Sequence, residues 1–110
     1  MTPTTNHVAL FGRVSNEAEI RTLPSGDTLA SFRLIVDRSL AAKKRSKQTV
    51  DTFECVAWTA RLRKAVEKLM PGDTIEVTGQ LRRRFSRSNG VPASWVTIEV
   101  ETCRKVEAAT

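Results

Sequence analysis

An all-β domain carrying a single helix is what these 110 residues predict. Alternation of apolar and polar residues at period two, the mark of a half-buried strand, recurs in five segments. Helical spacing occurs in one segment only, between the third and fourth of them. Turn residues separate these stretches at Pro24-Ser25-Gly26-Asp27, Pro71-Gly72 and Asn89-Gly90. No internal repeat or linker interrupts the chain. Residues 1–110 therefore read as one domain, with 1–5 and 107–110 as flexible ends.

Residues 7–14 (His-Val-Ala-Leu-Phe-Gly-Arg-Val) place Val8, Leu10 and Val14 on one face, with Gly12 as a bulge or bend. Residues 19–23 extend this strand past a break at Ser15-Asn16. In 28–38, Ala30, Phe32, Leu34 and Val36 face the core, and Ser31, Arg33 and Ile35 face away. The lysine-rich stretch 40–48 reads as a mobile loop. Residues 50–58 form a third strand, with Phe53, Cys55 and Ala57 on one side and Thr52, Glu54, Val56 and Trp58 on the other. Over 61–69 the period changes, with Leu62, Val66 and Leu69 at helical spacing until Pro71-Gly72 ends the helix. Ile75, Val77 and Leu81 mark the inner face of a fourth strand, and Val96, Ile98 and Val100 that of a fifth. Three strands, a helix and two strands is the order of the five-stranded Greek-key OB barrel, with one helix between strands three and four. Other small all-β folds with a single helix share that order.

Charge narrows the partners. The chain carries 18 Lys plus Arg against 12 Asp plus Glu, a formal +6, which favours anionic ligands. The cations fall into three clusters: Lys43, Lys44, Arg45 and Lys47; Arg61, Arg63, Lys64 and Lys68; and Arg82, Arg83, Arg84 and Arg87. The third belongs to Gln-Leu-Arg-Arg-Arg-Phe-Ser-Arg-Ser-Asn-Gly (80–90), a basic hairpin with an aromatic on it. Cations beside a flat ring suit a polyanion with stackable bases, which describes single-stranded nucleic acid.

Catalysis lacks its residues. His7 is the one histidine, and no serine or cysteine has a base to activate it. The carboxylates are scattered singly, without the paired pattern of a metal-dependent nuclease. The glycines at 12, 26, 72, 79 and 90 are spaced as turns and bends. No enzyme activity, metal or cofactor is expected. Cys55 and Cys103 lie in apolar strand patterns and read as small core residues; a disulfide would need an oxidising compartment. Neither a signal-peptide pattern nor a bilayer-length apolar stretch is present, so a cytoplasmic, nucleoid-associated location without membrane contact is the expectation.

Alternation sorts the aromatic residues. Trp58 points away from Phe53, Cys55 and Ala57, so an outward indole able to stack on a base is predicted. Trp95 lies opposite Val96, Ile98 and Val100, beside Pro92, and reads as a packing or subunit-contact residue. Phe85 shares its face with Leu81 and Arg83, so it points inward unless a bulge or twist turns it out. Arg82 and Arg84 take the other face. Phe11 alternates away from the core residues of the first strand, toward a partner subunit.

These residues also carry a family pattern. Asn6-x-Val8-x-Leu10-x-Gly12-x-Val14, Glu19-x-Arg21-x-x-Pro24-x-Gly26-x-x-x-Ala30-x-Phe32-x-Leu34, Val56-Ala57-Trp58 and Gly72-Asp73-x-Ile75-x-Val77-x-Gly79-Gln80-Leu81 together resemble the bacterial single-stranded DNA-binding proteins. The resemblance implies an OB fold assembled as a homotetramer, with DNA held by aromatic stacking and by lysine and arginine contacts to phosphate. Trp58 falls where the family places a stacking aromatic, and Phe85 arrives one residue early for another. Leu40 and Thr52 stand where many members have aromatics, so greater dependence on charge is expected. Arg82 and Arg84 match basic family positions; Arg33, Lys43, Lys44, Arg45, Lys47 and Arg87 join them as phosphate contacts by location. His7, Phe11, Phe53 and Trp95 are the candidate contacts between subunits.

Replicative members carry an acidic-tipped tail that recruits other enzymes, whereas this sequence stops at Val106-Glu107-Ala108-Ala109-Thr110. The reading is a short, tail-less paralogue binding single-stranded DNA independently of sequence, in recombination, repair, DNA uptake or stress. Two alternatives share the fold: a protein-interaction subunit of a replication or primosome complex, and a single-stranded RNA binder.

Overall fold

The computed structural model describes residues 3–106, so the predicted flexible ends at 1, 2 and 107–110 lie outside the described residues. Six strands form: β1 (Val8–Val14), β2 (Glu19–Thr22), β3 (Thr28–Asp37), β4 (Val50–Ala57), β5 (Thr74–Ser88) and β6 (Val91–Lys105). Two helices accompany them, α1 (Leu40–Arg45) and α2 (Ala60–Glu67). The strand order is β1-β5-β6-β4-β3-β2, and an added β1–β3 pairing closes β1, β5, β6, β4 and β3 into a ring. This is the predicted OB barrel, with the extension at 19–23 standing as a separate strand on the outer half of β3.

Alternation fills the barrel. Val14, Ala30, Phe32, Leu34, Cys55, Ala57, Ile75, Val77, Ile98 and Val100 are all buried in one cluster, and Val66 and Leu69 from the helix region join it. Phe53, a candidate subunit contact, packs against this core. Helix α2 starts at Thr59, whose hydroxyl accepts from the Leu62 amide at 3.2 Å. Arg63, a member of the second cation cluster in the sequence, is tied to the protein's own backbone. Its guanidinium donates to the Thr28 carbonyl at 3.1 Å and to the Trp58 carbonyl.

Three sequence expectations change. The stretch 40–48 is not all loop: Ser39 accepts from the Ala42 amide at 3.3 Å and starts α1. Ala41, Ala42 and Lys43 are good helix formers, and Lys43, Lys44 and Arg45 face the negative end of the helix dipole. A bidentate pair from Arg38 to Asp51, at 3.0 and 2.8 Å, ties the base of this excursion together. Second, Leu81 is 45% exposed rather than inward. Past Leu81 and Ile98, β5 and β6 continue as a two-stranded arm with which no third strand pairs among the described residues. Third, of the bulge or bend expected at Gly12 the β1–β5 register shows no bulge; the irregularity lies at Thr78/Gly79, and β1 passes from β5 to β3 at Arg13.

Gly12 and Gly79 instead permit close strand crossings. A Cβ on Gly12 would strike the Ile35 carbonyl oxygen, and one on Gly79 the Glu99 carbonyl oxygen. The side chain of Asn6 continues the closure beyond β1. It donates to the Leu81 carbonyl at 2.9 Å and accepts from the Leu81 amide at 2.8 Å, as a neighbouring strand would.

Backbone atoms cannot yield as a flexible side chain does. Gly79→Ala is therefore expected to destabilise the fold by about 2–3 kcal/mol. A urea unfolding midpoint unchanged from wild type would show that the crossing relaxes without cost.

Candidate nucleic-acid interface

Residues paired directly across two strands share a face. The register sets Arg33 opposite Glu54 and Ser31 opposite Val56. It sets Val56 beside Glu99, Arg82 opposite Thr97 and Arg84 opposite Trp95. Trp58, two residues beyond Val56, continues this outer face. The barrel interior consumes the other parity of each strand, so the polar and aromatic residues collect here.

Two cavities run along this surface. One, of about 200 Å³, is walled by Trp58, Trp95, Arg84, Arg21, Leu23, Leu29, Glu54, Val56 and Thr97. The other, of about 460 Å³, is lined by Arg21, Arg33, Glu54, Glu19, Asn16, Ser15, Ser31 and Phe32. Arg21 and Glu54 belong to both, which makes one trough with tryptophans at one end and arginines along it. The Arg84 guanidinium lies 5.8 Å from the Trp58 ring centroid, within cation–π range. Asn16 shapes the far end by accepting the Arg33 amide at 2.9 Å.

The trough brings together three of the predicted contact residues, Trp58, Arg33 and Arg84, and adds two that sequence reading did not assign to it, Arg21 and Trp95. Trp95 is 43% exposed on the face of Trp58. A signal for it was present: counting back from the Asn89-Gly90 turn places Trp95 opposite Arg84. Arg82 stands on the same face, paired with Glu99 at 2.8 Å.

Other candidates lie elsewhere. Phe85 is 77% exposed without any bulge, because the arm leaves its inner face uncovered. It sits opposite Ser94 on the reverse side from Arg84, lining a separate cavity of about 320 Å³ with Arg87 and Pro92. Lys43, Lys44 and Arg45 ride on α1, Lys47 follows it, and none of them lines the trough. His7 is exposed just before β1, and Phe11 is 56% exposed opposite Glu76.

A closed ring of strands with a cationic, tryptophan-walled trough on one outer face is the architecture of an OB fold. The chain belongs to the Single-strand binding protein family, whose sequence profile matches residues 5–106. It is 26% identical over 103 residues to single-stranded DNA-binding protein A of Bacillus subtilis, covering 93% of this chain and 59% of that protein. Against single-stranded DNA-binding protein 2 of Listeria innocua it is 29% identical over 86 residues, covering 77% and 54%. The chain thus spans between half and three fifths of the length of these curated relatives. A solved structure described as Plasmodium falciparum SSB complex with ssDNA matches with a TM-score of 0.81 at 23% identity, covering 97% of this chain and 99% of that one. At that identity the likeness is one of fold.

Nucleophile chemistry is suppressed where it could arise. Cys55 and Cys103 are both free thiols. Burial, with smaller contributions from Cys103 and Glu54, pushes the Cys55 thiol up to about 12. Burial raises Cys103 as well. The stability gained from keeping Cys55 protonated is full below its ordinary value of 9.0, and is lost as pH climbs from there toward about 12. At pH 8 a thiol reagent is expected to label Cys55 only after unfolding; labelling of the folded protein at the unfolded rate would contradict this burial.

Proposed function

We propose that this chain binds single-stranded DNA of any sequence, stacking bases on Trp58 and Trp95 while Arg21, Arg33 and Arg84 hold phosphates. The observation that carries this reading is the shared cavity of Trp58, Trp95 and Arg84. Stacking is worth about 1–3 kcal/mol per base and tolerates any sequence, because every base has a π-face. Each phosphate neutralised on a single strand releases condensed counterions, which makes binding salt-dependent.

Arg82 enters at small cost. Its pair with Glu99 is solvent-exposed, and such pairs contribute only about 0–1 kcal/mol, so a phosphate can compete for it. Lys43, Lys44, Arg45, Lys47 and Arg87 extend the positive field along the α1 excursion and the arm, and Phe85 offers a further ring at the arm's reverse side. Family membership supports assembly as a homotetramer, in which exposed Phe11 would be covered by another copy. Light scattering tests this: the expected mass is four times the 12.2 kDa chain, and a monomer would refute it.

The function is tested by tryptophan fluorescence during titration with oligo-dT. Trp58→Ala is expected to weaken binding about tenfold, equivalent to about 1.4 kcal/mol. Arg84→Ala is expected to lower the slope of log K against log salt by about 0.7, the share of one phosphate. Salt-insensitive binding, or an unchanged affinity without the Trp58 indole, would refute the reading.

A further inference from the structure

Between Glu76 and Glu99 the chain holds four arginines and neither an aspartate nor a glutamate. Strand alternation divides the four equally. Arg82 and Arg84 take the trough face, where Glu99 and the Trp58 ring engage them. Arg83 and Arg87 take the reverse face of the arm, opposite Val96 and Pro92, with Leu81 and Phe85 between and beside them. Leu81, Phe85 and Val96 are all exposed there. Among the described residues neither Arg83 nor Arg87 meets a carboxylate. Arg83 donates to the Ser94 hydroxyl at 3.4 Å, and Ser94 is the residue opposite Phe85. Arg87 lines the cavity of about 320 Å³ with Phe85. An open ring thus stands between two guanidinium groups that no acid engages.

Charge decides what fits this face. A second copy of the arm would bring its own arginines against these, and like charges repel. A polyanion carrying flat bases suits both features, the ring by stacking and the guanidinium groups by charge-assisted hydrogen bonds to phosphate. Past Leu81 and Ile98 no third strand pairs with the arm among the described residues, so its edges leave room for a flexible strand to turn from one face to the other. We propose that the reverse face of the arm is a second binding segment for the same single strand of DNA. A base stacks on Phe85, Arg83 and Arg87 hold phosphates, and a long strand clasps the arm from both sides. This deepens the DNA-binding reading and rests on it.

Titration with oligo-dT of two lengths, about 6 and about 16 nucleotides, both within the range one OB fold takes, separates the two segments. Phe85→Ala is expected to lower the ratio of 16-mer to 6-mer affinity about tenfold. Trp58→Ala, which strikes the trough used by both lengths, is expected to leave that ratio within about twofold of wild type. Joint replacement Arg83→Gln and Arg87→Gln is expected to lower the slope of log K against log salt for the 16-mer by about 1.4, the share of two phosphates. A ratio unchanged in Phe85→Ala, or an unchanged slope in the double variant, would overturn the inference and leave the DNA-binding reading standing. A smaller mass of Phe85→Ala in light scattering would make this face a contact between copies and likewise overturn it. Failure of both oligomers to bind wild type would overturn this inference and the DNA-binding reading together.

Discussion

Strand β1 is attached twice, to β5 from Val8 through Arg13 and to β3 at Arg13 and Val14, and the barrel closes through that double attachment. Two bare backbone positions permit it. Gly12 lets the Ile35 carbonyl approach β1, and Gly79 lets the Glu99 carbonyl approach β5. Closure in turn seals Phe32, Leu34, Ile75, Val77 and Ile98 away from water. It also fixes where support from β1 ends: its pairing stops at Gly79, and farther out β5 and β6 run on as an arm whose reverse side leaves Phe85 open.

Function follows from the residue parity left over. Once the inward positions are spent on the core, the outward ones on β3, β4, β5 and β6 must share one surface. Arg33, Glu54, Trp58, Arg84 and Trp95 meet there though they are far apart in the chain. In the proposed function rings and charges divide the work: stacking tolerates any base, and arginine answers the repeating phosphate. The arm separates two features that are neighbours in sequence, turning Arg84 toward the trough and Phe85 to the reverse side.

Much of this was legible in the sequence. Strand alternation identified the core of β3 and β4 and the outward direction of Trp58, because burial on one face leaves a period-two trace. The α1 helix was hidden by its charge, since a lysine-rich run resembles a loop unless the Ser39 cap is weighed. Leu81 and Phe85 misled for another reason: alternation reports which side a residue takes, but not whether anything covers that side. Arg63 counted only as one of a cation cluster because its carbonyl partners lie on the backbone of Thr28 and Trp58, which no residue pattern reveals. Arg21 and Trp95 required cross-strand register, available for Trp95 from its distance to the turn.

The central claim is that a single strand lies in the trough between Arg33 and Trp95. Nuclear magnetic resonance of the isotope-labelled protein during oligo-dT addition tests it most directly. Both indole N–H signals, and the backbone amides of Arg33, Glu54 and Thr97, should move together, while the amides of Lys64 and Val66 on α2 stay still. Movement confined to α2, or to Phe85 and Arg87 on the reverse side of the arm with both indoles unmoved, would contradict the account.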